Sequence, residues 1–381
     1  MVITILSAES LGARGLACSI QLKERTILID PGIALGWSRH GLLPHPFQTA
    51  VGAGLRQGIR EKLNRATDVV FSHYHGDHCP LAKPNPYQLE LEEAREGLSR
   101  CRVWARGAGN LSPAQRKRRD DLAGIRAGEW RDAEGMRRGP LAFSLPVPHG
   151  EGGGAGGMVM MSRIEEDGVT FVHASDIQLL DRATVETIIR WKPDIVLASG
   201  PPLYHYTSPS HAPLRDLAWA NALELSGNTA TLIIDHHLLR SGEGIEWLES
   251  LRRAAPNRVL CAAEFMEQEP LFLEAWRSEL YEWIPVPGTW HEAYRRGETG
   301  TDPYRTRGWR EVISRGRVRP CGWYSCCPIR RFTDSGALDR FWVERYCLVN
   351  NRRCVRYRME EEGRPHPDTL LPDGRMMEDL P

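Results

Sequence analysis

The sequence predicts a layered α/β domain with a small Cys-rich module behind it. Three observations carry this expectation. Short apolar strands alternate with helical stretches in two successive halves, a dense His/Asp turn follows the strand at 68–71, and five of the nine cysteines crowd beyond residue 320. At 381 residues, with 41% hydrophobic and 26% charged side chains, the chain is long for one core, so a large domain plus a smaller one is expected.

Taken in order, the opening MVITILSAESLG lacks a basic stretch ahead of a long apolar one and reads as a first strand, not a signal peptide. Strands are expected at 2–6, 17–22, 26–30 and 68–71, with helix-like spacing at 57–66. Residues 86–140 are polar, Arg-rich and mostly helical in character. A strand at 142–147 leads to His149 and the run EGGGAGG, too glycine-rich for regular structure. Strands return at 158–161, 170–173, 195–198 and 231–234, with helices at 182–191 and 211–225 and a helix–strand unit at 244–266. Beyond about 285 the texture turns to Arg, Gly, Trp and Cys with little periodicity. The domain boundary is placed near 300, giving a domain over 1–300 and a module over 301–381.

Formal net charge is zero, which removes any global pull toward nucleic acid or a membrane. Only five of the 49 basic residues are lysines, and the arginines are spread throughout, which fits codon bias better than one binding face. No apolar run approaches the roughly 20 residues that span a bilayer, so no membrane partner and cytoplasmic residence with reduced cysteines are expected.

The strongest local signal is Ser72-His73-Tyr74-His75-Gly76-Asp77-His78, directly after an apolar strand. Three of only thirteen histidines and an aspartate fall within six positions. Imidazoles and a carboxylate suit a borderline cation such as zinc or ferrous iron, and a tight loop can aim alternate side chains at two neighbouring ions.

His73-x-His75-x-Asp77-His78 resembles the signature of the metallo-β-lactamase superfamily. Residues 1 to about 270 further resemble an uncharacterised prokaryotic metallo-hydrolase group within it, through SAESLGARGLA, LIDPGIALG, SHYHGDH, PVPHG, FVHASDIQ and IIDHHLLR. The resemblance implies an αββα four-layer sandwich, with Asp30 supporting the metal loop and the site at the edge between the sheets. It also implies a metal-dependent hydrolase with two Zn²⁺ (or Fe or Mn) ions. One ion would take His73, His75 and His149; the other would take Asp77, His78 and a histidine from the pair His236/His237, with Asp176 shared. His236 is favoured because its spacing to Arg240 is that of tRNA 3′-processing nucleases. His173 reads as a supporting or core histidine. Oxygen-reducing di-iron members carry Glu at the position of His75, so the histidine points to hydrolysis. Two such ions lower the pKa of a shared water from 15.7 to about 7 and polarise the substrate oxygen, with Asp77 or Asp176 as proton relay.

Three loops are candidates for choosing the substrate. The glycine run 150–157 could line an anion pocket, the basic helix around 115–119 could hold phosphate, and Tyr204-His205 could form a pocket wall, with His205 donating to a substrate oxygen. In the module, Cys321, Cys326, Cys327, Cys347 and Cys354 match neither zinc-finger nor ferredoxin spacing, yet could hold Zn²⁺ or a [4Fe–4S] cluster. Arginines from Arg305 to Arg331, interleaved with Trp309, Trp323 and Tyr324, suit phosphates and unstacked bases. Three functions follow: cleavage of a phosphodiester in RNA or DNA; hydrolysis of a small-molecule ester, lactone or phosphate; or a redox role built on an iron–sulfur cluster. The exact substrate is left open, as is a homo-oligomer.

Overall fold

Two sheets face each other in the computed structural model, which describes residues 1–125, 129–150, 157–305, 321–347 and 351–380. The first sheet runs in chain order through β1 (Val2–Ile5), β2 (Cys18–Gln21), β3 (Thr26–Ile29), β4 (Asp68–Phe71), β5 (Arg102–Ala105) and β6 (Glu129–Asp132). Then come β7 (Arg137–Arg138), β8 (Leu141–Phe143), a separate hairpin of β9 (Val147–Pro148) and β10 (Met158–Val159), β11 (Ser162–Glu166), β12 (Val169–Ser175), β13 (Ile195–Ala198), β14 (Thr231–Ile234) and β15 (Arg258–Leu260). The second sheet has the order β7-β8-β11-β12-β13-β14-β15.

Parallel strands cannot be joined by a hairpin, so each parallel step carries a helix. In the first sheet β3, β4, β5 and β6 are parallel, connected by α1 (Pro46–Leu63), α2 (Leu91–Arg100) and α3 (Pro113–Ala123). In the second, β12 to β15 are parallel, connected by α4 (Arg182–Arg190), α5 (Ala212–Gly227) and α6 (Gly242–Ala254), with α7 (Ala262–Phe265) after β15.

Strand alternation sorts the core. Ile27, Ile29, Val70 and Trp104 join Phe143, Ile164 and Phe171 in the large apolar cluster shared by the two sheets. Leu28, Val69, Phe71 and Val103 point the other way, onto Ala94 and Leu98 of α2 and Leu122 of α3. Val185, Ile188, Leu225, Leu248 and Leu251 cover the second sheet from α4, α5 and α6. The product is the αββα sandwich that the resemblance implied.

Three local expectations are corrected. Helix α1 starts at Pro46, eleven residues before the expected 57, because the His45 ring accepts the Phe47 N–H and proline fits the first helical position. The stretch 86–140 is not mostly helical: it contributes β5, β6 and β7 as well as two helices. The single strand expected at 142–147 is two, β8 and β9, in different sheets. The C-terminal residues form a further cluster, in which Cys321, Ile329, Phe332, Val343, Cys347, Leu371 and Leu380 pack with Ala275 and Trp276. Its short helices span Pro328–Asp334 and Val355–Glu361. Among the described residues no helix is long and apolar enough to cross a membrane.

Candidate metal centre

Parallel strands collect their following loops at one edge, the usual place for a ligand in α/β sheets. Here the loops after β3, β4, β9, β12 and β14 supply Asp30, the 73–78 turn, His149, Asp176 and the 235–237 triplet. Asp30 adopts a left-handed φ of 47° and lies fully buried. Its Oδ1 accepts the Ser72 N–H at 2.8 Å, and its Oδ2 accepts from the Ser72 and Ser175 hydroxyls at 2.6 and 2.8 Å and from His78 Nδ1 at 3.2 Å. One carboxylate therefore ties the metal turn to the end of β12 and orients His78.

Asp176 divides the remaining donors between its two oxygens. His73 Nε2, His75 Nδ1 and His237 Nε2 lie 3.1, 3.4 and 3.4 Å from Oδ2. His78 Nε2 and His236 Nε2 lie 2.9 and 3.5 Å from Oδ1, and Asp77 Oδ2 is 3.3 Å from His236 Nε2. Four three-donor groups able to hold an ion result among the described residues: His73/His75/Asp176, Asp77/His78/His236, Asp176/His236/His237 and Asp30/His73/His78. His149 stands just outside these groups. Its ring centroid is 5.5 Å from that of His75, and its Nδ1 meets the Gln178 amide at 3.3 Å. His237 Nε2 lies as close to Asp176 Oδ2 as His75 Nδ1 does, and His236 Nε2 is the ring nitrogen of the pair that meets Asp77.

The donor set fits cations on its own chemistry. His73 Nε2, both ring nitrogens of His237 and Asp176 Oδ1 are buried without a hydrogen-bond partner, and such atoms are costly unless something binds them. Burial, and then the neighbouring His78, push His73 down to about 3; burial and Arg240 push His237 down to about 4. Both rings are thus neutral, as ligands must be. Burial alone would raise Asp176, yet His78, His73 and His237 hold it well below the usual carboxylate range. Burial likewise opposes charge on His78, but Asp176, Asp30 and Asp77 raise it well above the usual imidazole value. Carboxylates converging on imidazoles make a well for positive charge.

Further groups were not legible as site residues. Asp235, first of the 235–237 triplet, faces away from the donors. It accepts the Ser10 N–H at 3.1 Å, the Ser10 hydroxyl at 2.5 Å and the Ala262 N–H at 2.9 Å, fastening β14 to the first loop and to α7. The His173 Nε2–H donates to Leu16 O, 2.8 Å away. Gly15, at φ 117°, brings its N–H to His236 Nδ1 at 3.0 Å; a Cβ there would meet Asp77 O at 2.6 Å. Arg240 reaches His236 Nε2 at 2.9 Å, Glu9 at 2.7 Å and the Tyr204 hydroxyl at 3.1 Å. The Arg240 spacing was visible in the sequence. Glu9, 231 residues away, gave no signal. Burial and then Glu274 push Glu9 up to about 7. Residues 151–156 of the Gly-rich run and residues 306–320 of the Arg-rich stretch lie outside the described residues.

No protein-family model matches the chain. It is 47% identical over 307 residues to a UPF0282 protein of Methanosarcina mazei, covering 80% of this chain and 99% of that one. UPF0282 proteins of Pyrococcus furiosus and Pyrococcus horikoshii are 34% and 32% identical, over 74% and 76% of this chain and 92% and 97% of theirs. Among solved structures, an isothiocyanate hydrolase from Delia radicum gut bacteria matches with a TM-score of 0.42 and 17% identity, covering 68% of this chain and 95% of that one. Zn²⁺-bound PqqB from Methylobacterium extorquens matches with a TM-score of 0.39 and 10% identity, covering 71% and 99%.

Proposed function

This chain belongs to the UPF0282 family, and on that premise we propose that it is a dinuclear metal-dependent hydrolase acting on a phosphodiester. The observation that carries the reading is the convergence of buried, unpartnered donor atoms of His73, His237 and Asp176. His73, His75 and His237 around Asp176, with His149 beyond them, would hold one ion; Asp77, His78 and His236 with Asp176 would hold the other. Two divalent ions so held supply a water that ionises near neutral pH and an electrophile for the substrate oxygen.

The chain's own residues do the rest. Asp30 fixes the His78 ring so that Nε2 faces the centre. Asp77, 18% exposed against 1% for Asp176, is the more solvent-accessible of the two carboxylates and would act as the proton relay. An anionic substrate is favoured by the rim, where the Arg39 guanidinium lies over the Tyr204 ring at 4.9 Å. His205 next to it is held below its usual value by burial and then by Arg240, Arg39 and Arg14. A small-molecule ester, lactone or phosphate is the second reading. It is favoured because Arg330 and Arg331 of the basic stretch are already paired, with Asp334 at 3.3 Å and Asp368 at 3.1 Å.

The test is hydrolysis of bis(p-nitrophenyl) phosphate and of a p-nitrophenyl carboxylic ester by metal-reconstituted protein and by Asp176→Asn. Phosphodiester cleavage that disappears with chelator and in the variant supports the proposal. Cleavage of the ester alone supports the second reading, and a protein that binds two ions and cleaves neither overturns both.

A further inference from the structure

Outside the hydrolase site, one cavity of about 60 Å³ in the C-terminal cluster is lined by all five late cysteines. Three of them, Cys321, Cys347 and Cys354, are buried, and all are free thiols. They arrive from three separate pieces of chain. The Cys321 N–H donates to Cys347 O at 2.8 Å, joining the first two pieces. Cys327 opens the helix Pro328–Asp334, and Cys354 opens Val355–Glu361. The Tyr357 main-chain N–H points at the Cys354 sulfur at 3.5 Å.

Arg356 is the independent observation. It lines the same cavity and is 2% exposed, its Nε has no hydrogen-bond partner, and its Nη1 donates to the carbonyls of Pro367, Asp368 and Leu370, none of which carries charge. A guanidinium in that position calls for a neighbouring anion. The one carboxylate on the described lining, Glu360, is paired with His366 at 3.1 Å, and four neutral thiols provide no anion. Four thiolates around a divalent core leave the centre dianionic, which satisfies the arginine and removes the mutual repulsion of the sulfurs.

We propose that Cys321, Cys327, Cys347 and Cys354 form a tetrathiolate site for an iron–sulfur cluster, with Arg356 as its charge partner; among the described residues the donor groups drawn close enough to share a single ion include none of these cysteines, so the sulfurs are spread for a cluster and not for one zinc ion. Cys326 is excluded from the set: it is exposed, and its sulfur faces the Trp323 carbonyl at 3.3 Å. The site is separate from the dinuclear centre and does not depend on the hydrolase reading.

The full chain purified without oxygen is assayed for zinc, iron and acid-labile sulfide, alongside Cys326→Ser, Cys327→Ser, Cys354→Ser and Asp176→Asn. A visible spectrum reads thiolate-to-iron charge transfer. The proposal requires that absorption, and iron with equimolar sulfide, in the native chain, Cys326→Ser and Asp176→Asn, and their loss in Cys327→Ser and Cys354→Ser. Absence of both signatures from the native chain overturns the proposal, as does equal loss in Cys326→Ser and Cys327→Ser. Because Asp176→Asn disables only the hydrolase centre, failure of either site is read separately.

Discussion

Replacing Asp30 by Asn isolates the support of the metal turn from the scaffold that carries it. Asparagine has the same shape and tolerates the left-handed φ of 47° at this position, so the backbone is not disturbed. Its remaining oxygen keeps the Ser72 N–H. The new NH₂ stands where Oδ2 accepts from two hydroxyls and from His78 Nδ1. Hydroxyls can turn and accept instead; an imidazole N–H cannot. His78 is then driven to the tautomer with its proton on Nε2, the atom 2.9 Å from Asp176 Oδ1, and that nitrogen no longer has a lone pair for an ion. Loss of such a supporting partner costs roughly 10–100-fold in metal affinity, or about 1.4–2.8 kcal/mol. Competition against a chelator, followed by metal content per chain, should show one of the two ions released 10–100-fold more readily while far-UV circular dichroism is unchanged. Identical release curves for the two proteins would refute the tautomer argument.

Other consequences follow from single contacts. Gly32→Ala would place a Cβ 2.3 Å from Cys79 N and from the His78 carbonyl carbon, both main-chain atoms; about 3 kcal/mol of stability should be lost in a chemical melt. His236→Ala should lower the metal count from two per chain to one, since the His73/His75 group on the other oxygen of Asp176 is untouched. Asp68 is fully buried; burial opposes its charge, but Arg25, Thr67 and Trp104 hold it below its ordinary 3.8. With the folded value below the unfolded one, its contribution is present above pH 3.8 and disappears as pH falls through the folded value. Asp68→Asn should therefore flatten the acid limb of the stability curve and leave a protein less stable at neutral pH. An unchanged acid limb would count against that assignment.

The legible parts of this fold were those written locally. The 73–78 turn announces itself because its donors are adjacent and follow an uninterrupted apolar strand, and β13 and β14 were read with their correct ends for the same reason. Strand β5 was hidden inside a polar stretch: its first residue is an exposed arginine, and Arg102 is accounted for only by its 3.1 Å pair with Asp68 on the neighbouring strand. The first half of α1 was obscured by Gly52 and Gly54, which weaken a helical pattern, although Gly52 is where the helix closes on Leu35. Asp235 stands beside two histidines, and only its hydrogen bond from Ser10 shows that it anchors the strand. Long-range partners of that kind leave no periodicity to read.

The donors around Asp176 come from positions as far apart as His73 and His237. During synthesis the early imidazoles emerge long before the carboxylate that gathers them, and the last histidines emerge later still. Metal loading is thus a terminal event, conditional on both halves having docked. A nascent chain or truncated product ending before β14 would carry an incomplete chelating loop, and occupancy of the centre would report that the domain had been finished.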